Sequence, residues 1–135
     1  MCFVDTSVLL YSVSTHRSEL EKATAATALL GTADLCLSVQ VLQEFYVQST
    51  RASRPGALTS DTAIAFIDTW LRFRVQEMSV SLMRSAFLAK NRWQISYWDA
   101  AIIEAARNLG CKELYSEDLN DGQDYGGVRV VNPFL

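Results

Sequence analysis

The sequence predicts an α/β fold in which helices cover both faces of a parallel β-sheet. Short apolar runs alternate along the chain with longer segments in which apolar residues recur at helical spacing. This alternation is typical of a parallel sheet, because each helix carries the chain back to the start of the next strand. The strands are predicted at residues 2–4, 35–38, 75–78, 113–115 and 128–131.

Boundary residues support the helices between these strands. Gly31 and Gly110 each follow an apolar helical pattern and supply the C-terminal stop that glycine favours. Thr59 or Ser60 can cap the helix after the loop at residues 51–58, which contains serine, proline and glycine. The helices are predicted at residues 6–13, 18–30, 41–51, 60–71, 80–92 and 98–109.

Length and composition predict one domain over residues 1–135. Half of the residues are apolar and a fifth are charged, which is a globular composition. A chain of this length can bury roughly two thirds of its unfolded surface in a core. In the helix at residues 80–92, Leu82, Ala86 and Phe87 are predicted to face that core.

Charge and hydropathy argue against several classes of protein. The net charge of -3 argues against bulk electrostatic binding of nucleic acid. Charges interrupt every apolar stretch before the roughly 18 residues that a membrane span needs, and no basic segment precedes Asp5, so we expect a cytoplasmic protein. Individual arginines are still candidates for contacts with phosphate groups, namely Arg51, Arg54, Arg72, Arg74 and Arg84.

The histidine and cysteine content restricts the possible catalytic groups. His16 is the only histidine, which excludes a site with paired histidines. Cys2, Cys36 and Cys111 are far apart and form no CxxC pair, so neither a disulfide framework nor a zinc site is indicated. Any catalysis must therefore depend on carboxylates.

Four carboxylates occupy positions where an open parallel sheet places its chemistry. Asp5 directly follows the first strand, and Glu44, Asp99 and Asp118 are each expected at or just beyond the carboxyl end of a strand. Because these ends lie at one edge of the sheet, the four side chains are expected to converge. Each acid also has a local explanation as a helix cap, first-turn charge or turn residue, but the shared placement favours a common site.

Convergence of four carboxylates calls for a cation. Two carboxylates about 6 Å apart repel by roughly 3 kcal/mol at an effective dielectric near 20. Oxygen ligands favour Mg²⁺ or Mn²⁺ over zinc, and Mg²⁺ usually keeps water in part of its shell. Such an ion suits phosphodiester hydrolysis, because it polarises the phosphate and lowers the pKa of a bound water.

Other acid-based α/β sites fit the sequence poorly. A haloacid-dehalogenase phosphatase needs a second aspartate two residues after Asp5, where the chain has Ser7. A response-regulator receiver needs a lysine late in the chain, whereas the last lysine, Lys112, precedes the fourth strand. A Walker A loop and a Rossmann glycine triplet are absent from the sequence.

Four segments carry a resemblance to a known family. They are FVDTSVLLY at residues 3–11, SVQVLQEFY at 38–46, ISYWDAAI at 95–102 and LYSEDL at 114–119, followed by VNPF at 131–134. In this order and spacing they resemble the PIN-domain family and, within it, the VapC-type toxins of bacterial toxin-antitoxin pairs. The resemblance spans the whole chain.

The resemblance implies a fold, an activity and a set of site residues. The fold would be a PIN-like three-layer α/β/α sandwich with a five-stranded parallel sheet in the order 3-2-1-4-5. The activity would be that of a Mg²⁺- or Mn²⁺-dependent endoribonuclease. Asp5, Glu44, Asp99 and Asp118 match the acidic quartet that is catalytic and holds the metal. Asp5 and Asp99 are the expected direct ligands, Glu44 would bind through water, and Asp118 would complete a second site.

Neighbouring positions also match the family. Thr6 and Ser116 match polar positions that hold metal-bound water or orient the acids. Asp121 and Asp124 lie in the same loop as Asp118, so Asp121 stays open as an alternative fourth acid.

The family further implies an RNA substrate and two protein partners. A cognate antitoxin would cover the acids with a basic or aromatic residue. A homodimer would pack the helices around residues 44–73 across a two-fold axis, with Trp70 and Phe73 as candidate contacts. Two alternatives stay open, namely a PIN nuclease of RNA processing outside any toxin pair and a noncatalytic PIN-like module that binds RNA or protein.

Overall fold

A computed structural model describes residues 1–32 and 34–135 of the chain. The strands are β1 (Cys2–Val4), β2 (Leu35–Ser38), β3 (Arg74–Gln76), β4 (Glu113–Tyr115) and β5 (Arg129–Val131). The α-helices are α1 (Thr6–Ser12), α2 (Leu20–Leu30), α3 (Val39–Ser49), α4 (Ser60–Trp70), α5 (Val80–Trp93) and α6 (Tyr97–Asn108), with a 3₁₀ helix at Arg17–Glu19. No helix in these two ranges has the length and apolar character to cross a membrane.

The strands form one parallel sheet in the order β3-β2-β1-β4-β5, as predicted. The central strand β1 pairs Phe3 with Cys36 on one side and with Leu114 on the other. Helix α1 packs on α2 and α3, and α3 packs on α4. Helix α6 packs on α5 and contacts β2 and β4. The result is the three-layer α/β/α sandwich that the sequence predicts.

Strands β1 and β2 are covered on both faces, which explains their composition. Phe3, Val4, Leu37, Leu114 and Val130 have no exposed surface. Strands buried on both faces are continuous apolar runs rather than alternating ones. This is why β1 and β2 could be recognised in the sequence although they have only three and four residues.

Small side chains form the contact between α5 and α6. Ala86 and Ala89 of α5 pack with Ala100 and Ala101 of α6 in a buried cluster of their own. Alanines at such a contact allow the two helix axes to approach closely. The contact holds the first turn of α6 in place.

The prediction that Phe87 faces the core is wrong, because its side chain is 47% exposed. Leu82, Ala86 and Ala89 form the buried face of α5. Successive residues of a helix are rotated by about 100°, so Phe87 points away from that face. Its ring lies on Tyr97 instead, with centroids 5.5 Å apart.

Two strand boundaries differ from the prediction. The third strand is Arg74–Gln76 rather than 75–78, because its partner β2 ends at Ser38, which pairs with Gln76. After Ser38 the chain continues as helix α3, so β3 has no further strand residue of β2 to pair with. The last strand begins one residue later than predicted, at Arg129.

Helix α5 ends at a residue in the left-handed region. Gln94 has φ 54° and ψ 49°, and its N–H donates to the Lys90 carbonyl at 2.9 Å. A side chain with a Cβ pays a steric penalty of about 1 kcal/mol in this conformation. The reversal at Gln94 turns the chain directly into α6, so it also determines where Asp99 lies.

We expect Gln94→Gly to raise the free energy of unfolding by about 0.5–1 kcal/mol, because glycine adopts the left-handed conformation without that penalty. Urea denaturation at neutral pH measures the change. Arg84→Gly is the matched control, since Arg84 is exposed within α5, and it should lower the same quantity by about 1 kcal/mol. A loss of stability in Gln94→Gly would mean that the Gln94 side-chain bond to the Asn91 carbonyl outweighs the backbone penalty.

Candidate active site

Strand β1 carries Asp5 to the carboxyl edge of the sheet, where it caps α1. Its Oδ1 accepts a hydrogen bond from the Thr6 N–H at 2.6 Å, and its Oδ2 accepts one from the Ser116 hydroxyl at 2.7 Å. Only 3% of Asp5 is exposed. Hydrogen bonds to a charged acceptor are stronger than neutral ones, and they offset part of the cost of burying this carboxylate.

Ser116 connects Asp5 to the loop that carries Asp118. The Ser116 Oγ donates to Asp5 and accepts a hydrogen bond from the Asp118 N–H at 3.1 Å. The Asp5 N–H donates to the Tyr115 carbonyl at 3.0 Å. The first and fourth acids are therefore joined through one fully buried hydroxyl group.

Glu44 lies in the second turn of α3, the helix that directly follows β2. Its Oε2 accepts from the Thr6 hydroxyl at 2.8 Å, and its Oε1 accepts from the Gln40 amide at 3.0 Å. The Gln40 amide also donates to the Trp98 carbonyl at 3.1 Å. Gln40 was missed as a site residue, although its position one helical turn before Glu44 is a signal that the sequence contains.

Asp99 is positioned by a helix start and not by a strand end, so the expectation that all four acids follow strands is wrong for this residue. The side chain of Ser96 caps α6 and accepts from the Asp99 N–H at 3.1 Å. Helix α6 follows α5 with no strand between them. The contact from Gln40 to the Trp98 carbonyl places the first turn of α6 beside α3.

The charges of neighbouring acids act on Asp5. Burial raises the pKa of Asp5 to about 6, against the opposing effect of the hydrogen bonds from Ser116 and Thr6. The charges of Asp118 and Glu44 raise this pKa further. Three of the four sequence-predicted acids are therefore within electrostatic reach of one another.

Asp99 belongs to the same group. Burial raises the pKa of Asp99, the nearby Ser96 hydroxyl opposes this, and the charge of Glu44 adds to it. Burial also raises the pKa of Asp118, and the charges of Asp99, Glu117 and Glu44 add to that effect. The structure thus brings all four acids into one coupled cluster.

The two other acids of the loop bind backbone groups within the last part of the chain. Asp121 Oδ1 accepts from the Asn132 N–H at 2.8 Å, and Asp124 Oδ1 accepts from the Gly127 N–H at 2.6 Å. Both side chains are exposed. These contacts stabilise the loop and the end of β5.

Comparison with known proteins identifies the family. The family model of the PIN domain matches residues 2–120. The chain belongs to the PIN-domain family. No curated protein sequence matches it significantly.

Solved structures share the fold of this PIN domain at low sequence identity. The VapC20 toxin of Mycobacterium tuberculosis, described as cleaving the sarcin-ricin loop, is 20% identical over 87% of this chain and 90% of its own, with a TM-score of 0.67. A toxin-antitoxin complex from Klebsiella pneumoniae is 18% identical over 99% and 98%, with a TM-score of 0.70. DNA-bound VapBC from Salmonella typhimurium is 14% identical over 96% and 95%, with a TM-score of 0.63.

The acid cluster of the PIN domain fits a hard divalent cation. No three Asp, Glu, His or Cys side chains within residues 1–32 and 34–135 form a ready-made metal cage. Mg²⁺ does not require one, because it is usually held by one or two carboxylates and keeps several waters. The donors are carboxylate and hydroxyl oxygens, which Mg²⁺ and Mn²⁺ prefer, and a cation would relieve the mutual repulsion of the acids.

A carboxylate whose charge is compensated by a lysine lies beside the cluster, and no sequence pattern indicated this pairing. Glu117 Oε2 is 2.7 Å from the Lys22 ammonium, and its Oε1 accepts from the Tyr11 hydroxyl at 2.7 Å. Burial raises the pKa of Glu117, but the hydrogen bonds from Lys22 and Tyr11 outweigh this and hold the pKa below its usual value. Glu117 is thus a structural partner of Lys22, whereas the adjacent Asp118 has no such cation within the described ranges.

The raised pKa of Asp5 should make stability depend on pH. Its pKa is about 6 in the folded protein against an ordinary value of 3.8, so the folded state binds the proton more tightly. The stabilising contribution of the protonated group is complete below about pH 4 and is lost as the pH rises through about 6. Each pKa unit corresponds to about 1.4 kcal/mol, so ionisation of Asp5 costs about 3 kcal/mol at neutral pH.

We therefore expect Asp5→Asn, with EDTA present, to reduce the fall in unfolding free energy between about pH 4 and pH 7 by up to about 3 kcal/mol. Urea denaturation across this range measures it. Asp68→Asn, at an exposed site on α4, should keep the wild-type pH dependence. The same pH dependence in Asp5→Asn and wild type would refute the raised pKa.

Proposed function

We propose that this protein is a Mg²⁺- or Mn²⁺-dependent endoribonuclease and the toxin of a VapBC-type toxin-antitoxin pair. The observation that carries the proposal is the coupled cluster of four carboxylates at the carboxyl edge of a PIN-domain sheet. Membership of the family supports nuclease chemistry in general. The names of the structural relatives, which are toxins and toxin-antitoxin complexes, support the biological role.

In this proposal the four acids have different roles in binding the cation. Asp5 and Asp99 hold it directly, Glu44 acts through water, and Asp118 completes a second position. When bound, the cation stabilises charge on the phosphate and supplies a water of lowered pKa. The carboxylate oxygens at this edge are ligands that such an ion favours.

The remaining residues of the cluster fix the carboxylates before substrate arrives. Ser116 and the Thr6 N–H each hold one oxygen of Asp5, while the Thr6 hydroxyl and the Gln40 amide each hold one oxygen of Glu44. Each oxygen keeps a lone pair for a further contact. Preorganisation of this kind lowers the reorganisation needed at the moment of reaction.

We also propose a cognate antitoxin partner, with a cytoplasmic homodimer as a further part of the prediction. Helix α4 exposes Ile64 and Phe66, and Leu71 directly after the helix is exposed as well. These apolar side chains support a protein partner on this helix. Trp70 is only 4% exposed, so it is a core residue and a poor candidate for a dimer contact, whereas Phe73 is half-buried. The structural relatives from Klebsiella pneumoniae and Salmonella typhimurium are a toxin-antitoxin complex and DNA-bound VapBC, which supports an antitoxin partner.

We expect Asp99→Asn to lower RNA cleavage by about 100-fold or more, because it removes a charged ligand from the proposed metal site. Purified protein is assayed on total RNA with Mg²⁺ or Mn²⁺, and circular dichroism checks the fold. Asp68→Asn is the matched control and should cleave like wild type. Cleavage that persists in EDTA would contradict the metal mechanism, and RNA binding with no cleavage in Mn²⁺ would favour the noncatalytic module.

Alanine substitutions distinguish the two candidates for the fourth acid. Asp118→Ala should strongly reduce cleavage and leave stability unchanged or higher, because it removes a repelled charge. Asp121→Ala should leave cleavage within about twofold but lower the unfolding free energy by about 1 kcal/mol, because the Asn132 N–H loses its acceptor. The reverse pattern would assign the fourth acid to Asp121.

A further inference from the structure

Two cavities adjoin at the edge of the acid cluster. The acid cavity, of about 250 Å³, is lined by Thr6, Glu44 and Asp118 among other residues. The loop cavity, of about 590 Å³, is lined by residues 13–19 and by the loop at residues 54–58, among others. Glu19 and Arg54 line both. The two cavities therefore meet at these two side chains, and together they are called the groove.

The two parts of the groove differ in charge. Asp118 and three glutamates line the acid cavity, and Arg54 is the one cation among the described residues of its lining. Arg17, Arg54 and the acid Glu19 are among the charged residues that line the loop cavity. The arginines recorded in the lining of the two cavities are thus Arg54, where the cavities meet, and Arg17, on the loop side. A polyanion whose reacting phosphate lies at the acids would meet these two cations as it extends into the loop cavity.

Apolar residues complete the loop cavity. Val13, Pro55 and Leu58 contribute to its lining beside hydroxyl groups of serine and threonine. Its volume lies within the range of about 300–1,000 Å³ that small-molecule sites occupy. The cavity thus offers both a cationic wall and an apolar surface for a flat ring.

The backbone around Arg54 is fixed by two consecutive turns. The Arg54 N–H donates to the Arg51 carbonyl at 2.9 Å, and the Arg54 carbonyl accepts from the Ala57 N–H at 3.1 Å. Pro55 and Gly56 form the centre of the second turn, and Gly56 has φ 71°, as position i+2 of a type II turn requires. Arg54 therefore projects from a preorganised loop.

The guanidinium of Arg54 is available for a ligand. Arg54 is half-buried, yet within the described ranges its side chain makes no ion pair or hydrogen bond. Arg107 is a contrast, because its guanidinium binds Glu104 and the carbonyls of Tyr125 and Gly126. A guanidinium carries five N–H donors in a planar fork that matches phosphate oxygens.

We propose that this groove carries a single RNA strand and that Arg54 binds the backbone phosphate next to the scissile one. The nucleotide that follows this phosphate occupies the loop cavity, with its ring against Val13, Pro55 and Leu58. The inference rests on the proposed ribonuclease function. Arg54 is a positioning residue in this scheme, because it fixes the register of the strand on the acids without touching the reacting phosphate.

The binding test uses a fluorescein-labelled single-stranded decauridylate and the full chain carrying Asp99→Asn, with Mg²⁺ present, so that the RNA stays intact. Adding Arg54→Ala should weaken binding about tenfold, as expected for one charge-assisted contact. The logarithm of the association constant falls linearly with the logarithm of the salt concentration. Arg54→Ala should reduce the magnitude of this slope by about 0.7, the value for one phosphate contact on a single strand. Arg54→Lys should keep the slope and recover part of the affinity.

Arg51→Ala is the matched control, since Arg51 is exposed on the same loop and lines neither cavity. It should keep the parent affinity and slope. In the cleavage assay, with Asp99 restored, Arg54→Ala should raise KM about tenfold and leave kcat within about twofold, because binding to a neighbouring phosphate is equal in the ground and transition states.

The outcomes separate this inference from the function on which it rests. If wild type cleaves RNA but Arg54→Ala changes neither KM nor the salt dependence of binding, the phosphate site at Arg54 is refuted and the nuclease function is supported. An equal loss in Arg51→Ala would also overturn the site, because it would reflect the general charge of the loop. The opposite outcome is that wild type cleaves no RNA while Arg54→Ala, unlike Arg51→Ala, lowers the RNA affinity and its salt dependence. That result would refute the nuclease function and support the phosphate site at Arg54.

Discussion

The buried carboxylate of Asp5 is the constraint on which the rest of the site depends. A carboxylate that is 3% exposed needs fixed donors, and the chain supplies them from the first turn of α1 and from Ser116 after β4. Because β1 and β4 are neighbours in the sheet, this requirement joins the start of the chain to its last quarter. Asp118 then takes its position from the same serine, through its own N–H.

A second set of contacts brings the helices to the same edge. Thr6 binds Glu44, and Gln40 binds both Glu44 and the Trp98 carbonyl next to Asp99. Helices α1, α3 and α6 therefore meet through side-chain hydrogen bonds around the carboxylates. The network holds the carboxylates of Asp5 and Glu44 and the backbone N–H groups of Asp99 and Asp118. Burial raises the pKa of Asp5, Asp99 and Asp118, and the charges of neighbouring acids raise these pKa values further.

The cluster thus stores a free-energy cost that a hard cation would relieve. Sites with this property trade stability for function, since removing one charge stabilises the fold while removing the chemistry. The adjoining Glu117 illustrates the alternative, because Lys22 and Tyr11 compensate its charge within the chain. Two adjacent acids in one loop therefore differ in role through the partners that the tertiary structure gives them.

The sequence by itself determined the strand order through its family resemblance, and most element positions through local chemistry. Buried parallel strands are continuous apolar runs, and Ser38, Ser96 and Asp5 cap the helices that follow them. Only the tertiary structure decided that Asp99 reaches the site from a helix start after another helix, and that Arg54 lies between two cavities. The reason is physical: caps and periodicity are local, whereas these placements come from contacts between residues far apart in the chain, which no local pattern specifies.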